Sequence, residues 1–170
     1  MPKHQFPALS LMVENEFGAL TRVTSLIRRR GYNIESLVVA ETMDPTISRI
    51  TLMLQCEMER LPQIVEQLRK NVNVISAEIY SDDAFISREL IMVRIRIHEK
   101  FHEIARIADR FHAHLIEGTD DTLTLELSDT PQNTHDLIDA LSGYDVVDLS
   151  RTGIVAIDRM DTAVNDSFAT

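Results

Sequence analysis

Apolar residues recur along this chain at two spacings, and the switches between them mark its elements. Residues 8–14 (ALSLMVE) place Leu9, Leu11 and Val13 on one face at period two, as in a half-buried strand. From Leu20 the spacing turns helical through Val23 and Ile27; Arg28, Arg29 and Arg30 load the last turn, and Gly31 supplies a left-handed exit. Residues 33–42 and 47–56 are two β-rich runs around Met43, Asp44, Pro45 and Thr46, a tight-turn signal. In the second run Ile50, Leu52, Leu54 and Cys56 alternate with Arg49, Thr51, Met53 and Gln55. A helix from about Arg60 to Asn71 carries Leu61, Ile64, Val65 and Leu68 as its apolar stripe, with Pro62 tolerated in the first turn. Residues 73–80 (NVISAEIY) close the series with Ile75, Ala77 and Ile79 alternating. Strand, helix, strand, strand, helix, strand is the ferredoxin-like order: an antiparallel sheet with both helices on one face and the other face uncovered.

The pattern then repeats. Residues 81–87 (SDDAFIS) are small and acidic and read as a linker. Leu90 to His98 alternates Ile91, Val93, Ile95 and Ile97 against Arg94, Arg96 and His98, and a helix from about Lys100 to His112 carries Phe101, Ile104, Ala105, Ala108 and Phe111. Residues 113–118 and 122–127 form a second hairpin around Asp120 and Asp121, and residues 131–142 a helix with Leu137, Ile138 and Leu141. Tyr144 to Ile157 reads as a strand broken by a bulge or bend at Arg151, Thr152 and Gly153. The expected fold is α+β: two ferredoxin-like βαββαβ domains, 6–81 and 82–158, with a polar tail at 159–170. An apolar open sheet face or edge is an aggregation hazard for a lone copy, so a homodimer is expected.

Composition narrows the function classes. With 17 basic and 27 acidic residues the chain carries net charge -10 and a pI near 5.0, which opposes a nucleic-acid partner. The single Cys56 excludes a disulfide framework within one chain and suits a reducing compartment. No apolar run approaches the length of a membrane span and no signal-peptide pattern opens the chain, so a soluble, cytoplasmic protein is expected. A Gly-rich phosphate loop, a nucleophile elbow and an HExxH motif are all missing, and there are only five glycines. This points to a binding or regulatory protein with no catalytic residues. His98, His102, His112, His114 and His135 cluster in the second half without a ligand motif, so no metal site is assigned, although a metal-responsive module stays open as an alternative.

One turn stands out for binding. Asn15, Glu16, Phe17 and Gly18 precede the first helix, placing a side-chain cap and a residue without a Cβ beside backbone N–H groups that lack partners. Such a place suits a carboxylate, though a capped helix start needs no ligand. Asn33, at the entrance to the next strand, offers a donor and an acceptor to a zwitterion. The run Arg28 to Arg30 is either a docking patch for an acidic partner or a complement to its own helix dipole.

The segments ENEFGALTRV, RRGYNIESLVVAET and DPTISRIT together resemble the N-terminal ACT domain of the small, regulatory subunit of acetohydroxyacid synthase (acetolactate synthase). SRELIMVRI and LSRTGIVAIDR are similar to the start and end of that family's C-terminal domain, so the resemblance covers about residues 6–158. It implies a non-catalytic subunit that binds and activates the large catalytic subunit, the bearer of thiamine diphosphate, magnesium and FAD, and confers feedback inhibition by valine in branched-chain amino-acid biosynthesis. By the same resemblance Asn15, Gly18, Ala19 and Leu20 of one chain and Asn33 with Ile34 of a second would line the effector pocket. Phe17 stands where the family commonly has a small residue. A stand-alone ACT-type amino-acid sensor serving another partner is the alternative.

Overall fold

The computed structural model describes residues 8–80 and 84–159. They form two compact units, one ending at Ile86 and rejoined by residues from Ile154, the other running from Ser87 to Gly153. The first comprises β1 (Ala8–Glu14), α1 (Ala19–Arg29), β2 (Asn33–Glu41), β3 (Ile47–Gln55), α2 (Leu61–Arg69) and β4 (Val74–Ile79). Its antiparallel sheet runs β2-β3-β1-β4, the expected ferredoxin-like order. The core is the alternating face of the sheet (Leu9, Leu11, Ile50, Leu52, Leu54) against the helical stripes. On α2 that stripe is the predicted Leu61, Ile64, Val65 and Leu68.

Two details depart from the simple pattern. On α1 the buried line is Ala19, Val23 and Ile27, leaving Leu20 39% exposed beside it. On β4 a register shift opposite Met12 and Val13 turns Val74 inward and Ile75 out to 57% exposure, because one extra residue flips every side chain that follows.

The second unit repeats the topology with most of β5 (Phe85–Arg96), then α3 (Phe101–Phe111), β6 (His114–Gly118), β7 (Thr122–Asp129), α4 (Pro131–Leu141) and β8 (Asp145–Arg151), in the sheet order β6-β7-β5-β8. Ile91, Val93 and Ile95 meet Ile104, Leu137 and Leu141 in its core. The α4 helix is capped by the Thr130 hydroxyl, which accepts from the Asn133 backbone N–H.

The chain beyond Gly153 does not continue β8. Gly153 takes a left-handed φ of 85°, and the following β9 (Val155–Asp158) pairs with β5 and belongs to the first unit. There Ala156 and Phe85 pack with Ala8, Tyr80 and Met53, and Arg49 Nη1 donates to the Ala156 carbonyl at 3.0 Å. Arg49 and Met53 lie opposite the core face of β3, so the sheet face expected to be bare is partly covered by the chain's own return. The expected linker is also shorter: β5 begins at Phe85, whose ring stacks on Tyr80 at 4.3 Å, while Ser81–Asp83 and the tail from Met160 lie outside the described residues. Among the described residues no helix is long and apolar enough to cross a membrane.

Candidate functional site at the two ends of the first helix

The turn before α1 is held from both sides. Asn73, almost wholly buried, donates its Nδ2 to Glu14 Oε2 at 2.7 Å and accepts from the Arg22 guanidinium. The Asn15 backbone N–H donates to the Thr46 carbonyl at 2.7 Å, and its Nδ2 donates to Glu41 Oε1 at 3.1 Å and to the Pro45 carbonyl at 2.9 Å. Asn15 therefore does not cap the helix as expected; its amide is spent on the β2–β3 hairpin, which brings Glu41 and Pro45 alongside.

The cap position falls to Gly18, with φ 86°, no side-chain hydrogen bond and no acidic residue in the first turn. A left-handed φ favours glycine, and a Cβ built there would meet nothing within 4 Å. The Ala19 N–H donates to the Glu16 carbonyl at 3.2 Å, and the remaining first-turn N–H groups, with the positive end of the helix dipole, are left for an acceptor from elsewhere. Ala19 is buried beneath the turn, while Leu20 lies half open next to it.

The opposite end of α1 carries the other predicted residues. Gly31, at φ 77°, reverses the chain into Tyr32 and Asn33. Asn33 pairs with Gln55 across β2 and β3, and its Nδ2 donates to Gln55 Oε1 at 3.0 Å, leaving Oδ1 as an acceptor. Ile34 packs against the core while remaining partly open. Thr24, Ser25, Arg28, Tyr32, Asn33 and Ile34 line a shallow groove of about 370 Å³. Between Gly18 and Asn33 lie the 11 residues of α1, about 16 Å of helix. One chain gathers Asn15, Gly18, Ala19 and Leu20 at one end and Asn33 with Ile34 at the other, and it does not bring the two groups together.

Arg28 and Arg29 are exposed at the helix C-terminus, and Arg30 Nη2 donates to Gln67 Oε1 at 3.2 Å. Cys56, which closes the alternating run just past β3, is half-buried, and its partial burial pushes the thiol above its ordinary range.

In the second unit the histidines are spread over the surface. His98 lies against Asp145 and His135 against Asp139, and among the described residues no group of three or more His, Cys, Asp or Glu side chains is arranged to hold a metal ion. Asp145 Oδ2 takes His98 Nε2 at 2.9 Å and Arg96 Nη1 at 3.1 Å; the His98 hydrogen bond, with Arg96 adding to it, holds this carboxyl below the usual range. A depressed carboxylate pKa stabilises the fold above the unfolded value and loses that contribution as pH falls through the folded one. Stability is therefore expected to fall below about pH 4 more steeply in the native chain than in Asp145→Asn. Denaturant midpoints measured from neutral to acid pH check this, and parallel curves for the two proteins count against it.

The sequence offered no sign of the most buried charge in this unit. Glu89, 3% exposed, accepts from Arg151 Nε at 3.0 Å and Nη2 at 2.9 Å, and from the Thr134 hydroxyl at 2.7 Å. These residues tie β5, β8 and α4 together from positions 45 and 62 apart in the chain. No local pattern marks such a network, in which the Glu89 carboxylate is paired by Arg151 and Thr134.

Comparison with known proteins places this architecture. Residues 9–76 match the model of the acetolactate synthase (AHAS) small subunit-like ACT domain, and residues 88–160 that of the small subunit of acetolactate synthase. The chain is 37% identical to the acetolactate synthase small subunit of Haemophilus influenzae, over 89% of this chain and 94% of that one. It is 36% identical to the isozyme 3 small subunit of Escherichia coli, over 90% and 95%. The crystal structure of the small subunit from Thermotoga maritima superposes with a TM-score of 0.81 at 27% identity, covering 91% of this chain and 98% of that one. Two tandem ferredoxin-like units, the first opening on an uncapped glycine turn, are thus joined to relatives aligned along nearly their whole length, and the chain belongs to the acetolactate synthase small-subunit family.

Proposed function

We propose that this chain is a regulatory subunit: it binds and activates a large catalytic acetolactate synthase subunit in the cytoplasm and makes that enzyme sensitive to feedback by valine. The observation that carries the effector part is the division of the candidate residues between the two ends of α1. A site split this way is completed by a second copy, whose helix lies antiparallel beside the first, so that each Gly18 turn faces its neighbour's Asn33. A homodimer then has two equivalent pockets related by its twofold axis.

Each pocket matches a small aliphatic zwitterion. The carboxylate takes the first-turn N–H groups at Gly18 and Leu20, since that of Ala19 donates to the Glu16 carbonyl, at the end where the helix dipole favours negative charge. Asn33 Oδ1 accepts from the ammonium, since the amide nitrogen is engaged by Gln55. Leu20 and Ile34, both partly open, offer apolar surface to the side chain. Asn15 acts indirectly, by holding the turn against the β2–β3 hairpin. The effector regulates by binding two arrangements of the assembly unequally; a coupling of about 1–3 kcal/mol is ample for this.

The deciding experiment is reconstitution with the large subunit, with and without valine, leucine and isoleucine. Activity that rises on adding this chain and falls with valine is the expected result; no change on adding the chain counts against the regulatory assignment. Asn33→Ala is expected to weaken valine binding by roughly 1–3 kcal/mol. A calorimetric isotherm of native strength in that variant removes Asn33 from the pocket.

A further inference from the structure

We infer that Phe17 of one copy closes the groove beside Asn33 of the second and sets the size limit of the effector side chain. The inference rests on the two-copy effector pocket proposed above and adds a specificity-determining residue to it.

Phe17 is 105% exposed, a complete aromatic side chain in water on a turn that is otherwise secured by hydrogen bonds. Burying such a ring is strongly favourable, and among the described residues nothing covers it. The groove at the far end of α1 has complementary chemistry. Arg28 offers a guanidinium to an aromatic face, Tyr32 a ring and Ile34 an apolar wall, with Thr24 and Ser25 along the helix side.

Charge points to the same pairing. Glu16 precedes Phe17 and Arg28 lies in the groove; both are exposed, and among the described residues neither has a hydrogen-bond or ion-pair partner on its side chain. Antiparallel pairing of two α1 helices sets each Glu16 against the neighbour's Arg28 and each Phe17 into the neighbour's groove. A self-complementary surface of this kind is what a twofold interface requires.

Phe17 adjoins Gly18, where the effector carboxylate is placed, so its ring bounds the space available to the effector side chain. A bulky ring there leaves room for a short branched side chain and crowds a longer one. Phe17 therefore sharpens the discrimination of valine from the bulkier leucine and isoleucine in this protein.

The test is calorimetry of the full chain with valine, leucine and isoleucine, repeated for Phe17→Ser and Phe17→Trp. Full exposure of Phe17 within its own chain means neither substitution disturbs the fold, and sedimentation confirms the dimer. Phe17→Ser is expected to raise leucine affinity relative to valine about tenfold, the discrimination that one or two methylene groups provide. Phe17→Trp is expected to move the ratio further towards valine. An unchanged leucine-to-valine ratio in both variants, each still binding valine, overturns the role of Phe17 while leaving the pocket standing. Failure of the native chain to bind any of the three amino acids overturns the pocket and this inference with it. Charge reversal gives an independent readout: Glu16→Arg and Arg28→Glu should each weaken the dimer, and the double variant should restore it. A double variant as weak as the singles overturns the proposed pairing.

Discussion

Gly18→Asp is expected to yield a subunit that folds and still activates the large subunit but no longer transmits valine inhibition. The backbone at Gly18 is left-handed, and aspartate is among the few residues that visit this region, so the change costs the fold about 1 kcal/mol. No atom obstructs the new Cβ. What changes is the occupant of the helix terminus: a tethered carboxylate takes the N–H groups that the effector needs and repels the effector's own negative charge. Like-charge opposition of this kind costs several kcal/mol, so affinity should fall by more than about 100-fold. Gly18→Ala separates backbone from charge, since it adds the Cβ and the φ penalty alone, and it should keep most of the binding. Calorimetry with valine and inhibition curves on the reconstituted enzyme measure both; Gly18→Asp with native inhibition would remove this turn from the site.

The largest effect on stability is expected at Arg151. Arg151→Ala leaves the Glu89 carboxylate buried with only the Thr134 hydroxyl as donor, and Thr134 also lies within 3.0 Å of the Pro131 carbonyl. Stranding one member of a buried pair costs roughly 3–5 kcal/mol, and the lower end applies here because the Arg151 side chain is 45% exposed. Glu89→Gln should cost less, since it keeps the shape and removes the buried charge. The expected order of unfolding is Arg151→Ala first, then Glu89→Gln, then the native chain. Exchange protection of β5 and β7 amides in urea reads it out for this unit alone. If Arg151→Ala behaves as the native chain does, the network is ornamental.

How much of this was legible beforehand follows from the range of each signal. Both sheets and all four helices were written in local periodicity, and the α2 stripe was identified residue by residue because no glycine or bulge interrupts it. Ile75 was misplaced because a register shift is a property of two strands, and its partner β1 lies some sixty residues earlier. Asn15 was mistaken for a cap for a similar reason: its acceptors, Glu41 and Pro45, belong to a hairpin that was itself legible, but its placement beside Asn15 is a tertiary fact. The turns at Gly18 and Gly31 and the strand start at Asn33 were legible as backbone features because turn chemistry is written in adjacent residues. The Glu89, Arg151 and Thr134 network was invisible, since each member alone looks like an ordinary polar position on a strand or helix.

The return of β9 to the first unit couples the order of synthesis to the order of folding. Translation delivers the strands around Ala8, Tyr80 and Phe85 early, yet the segment that packs with them emerges only after some seventy further residues have been made. The nascent N-terminal unit therefore waits with an apolar seam open while the unit encoded between its two pieces folds. A chain cut just before Ile154 keeps every element of the helical core of both units but loses that closing segment, and it should be captured by chaperones where the full-length chain is released.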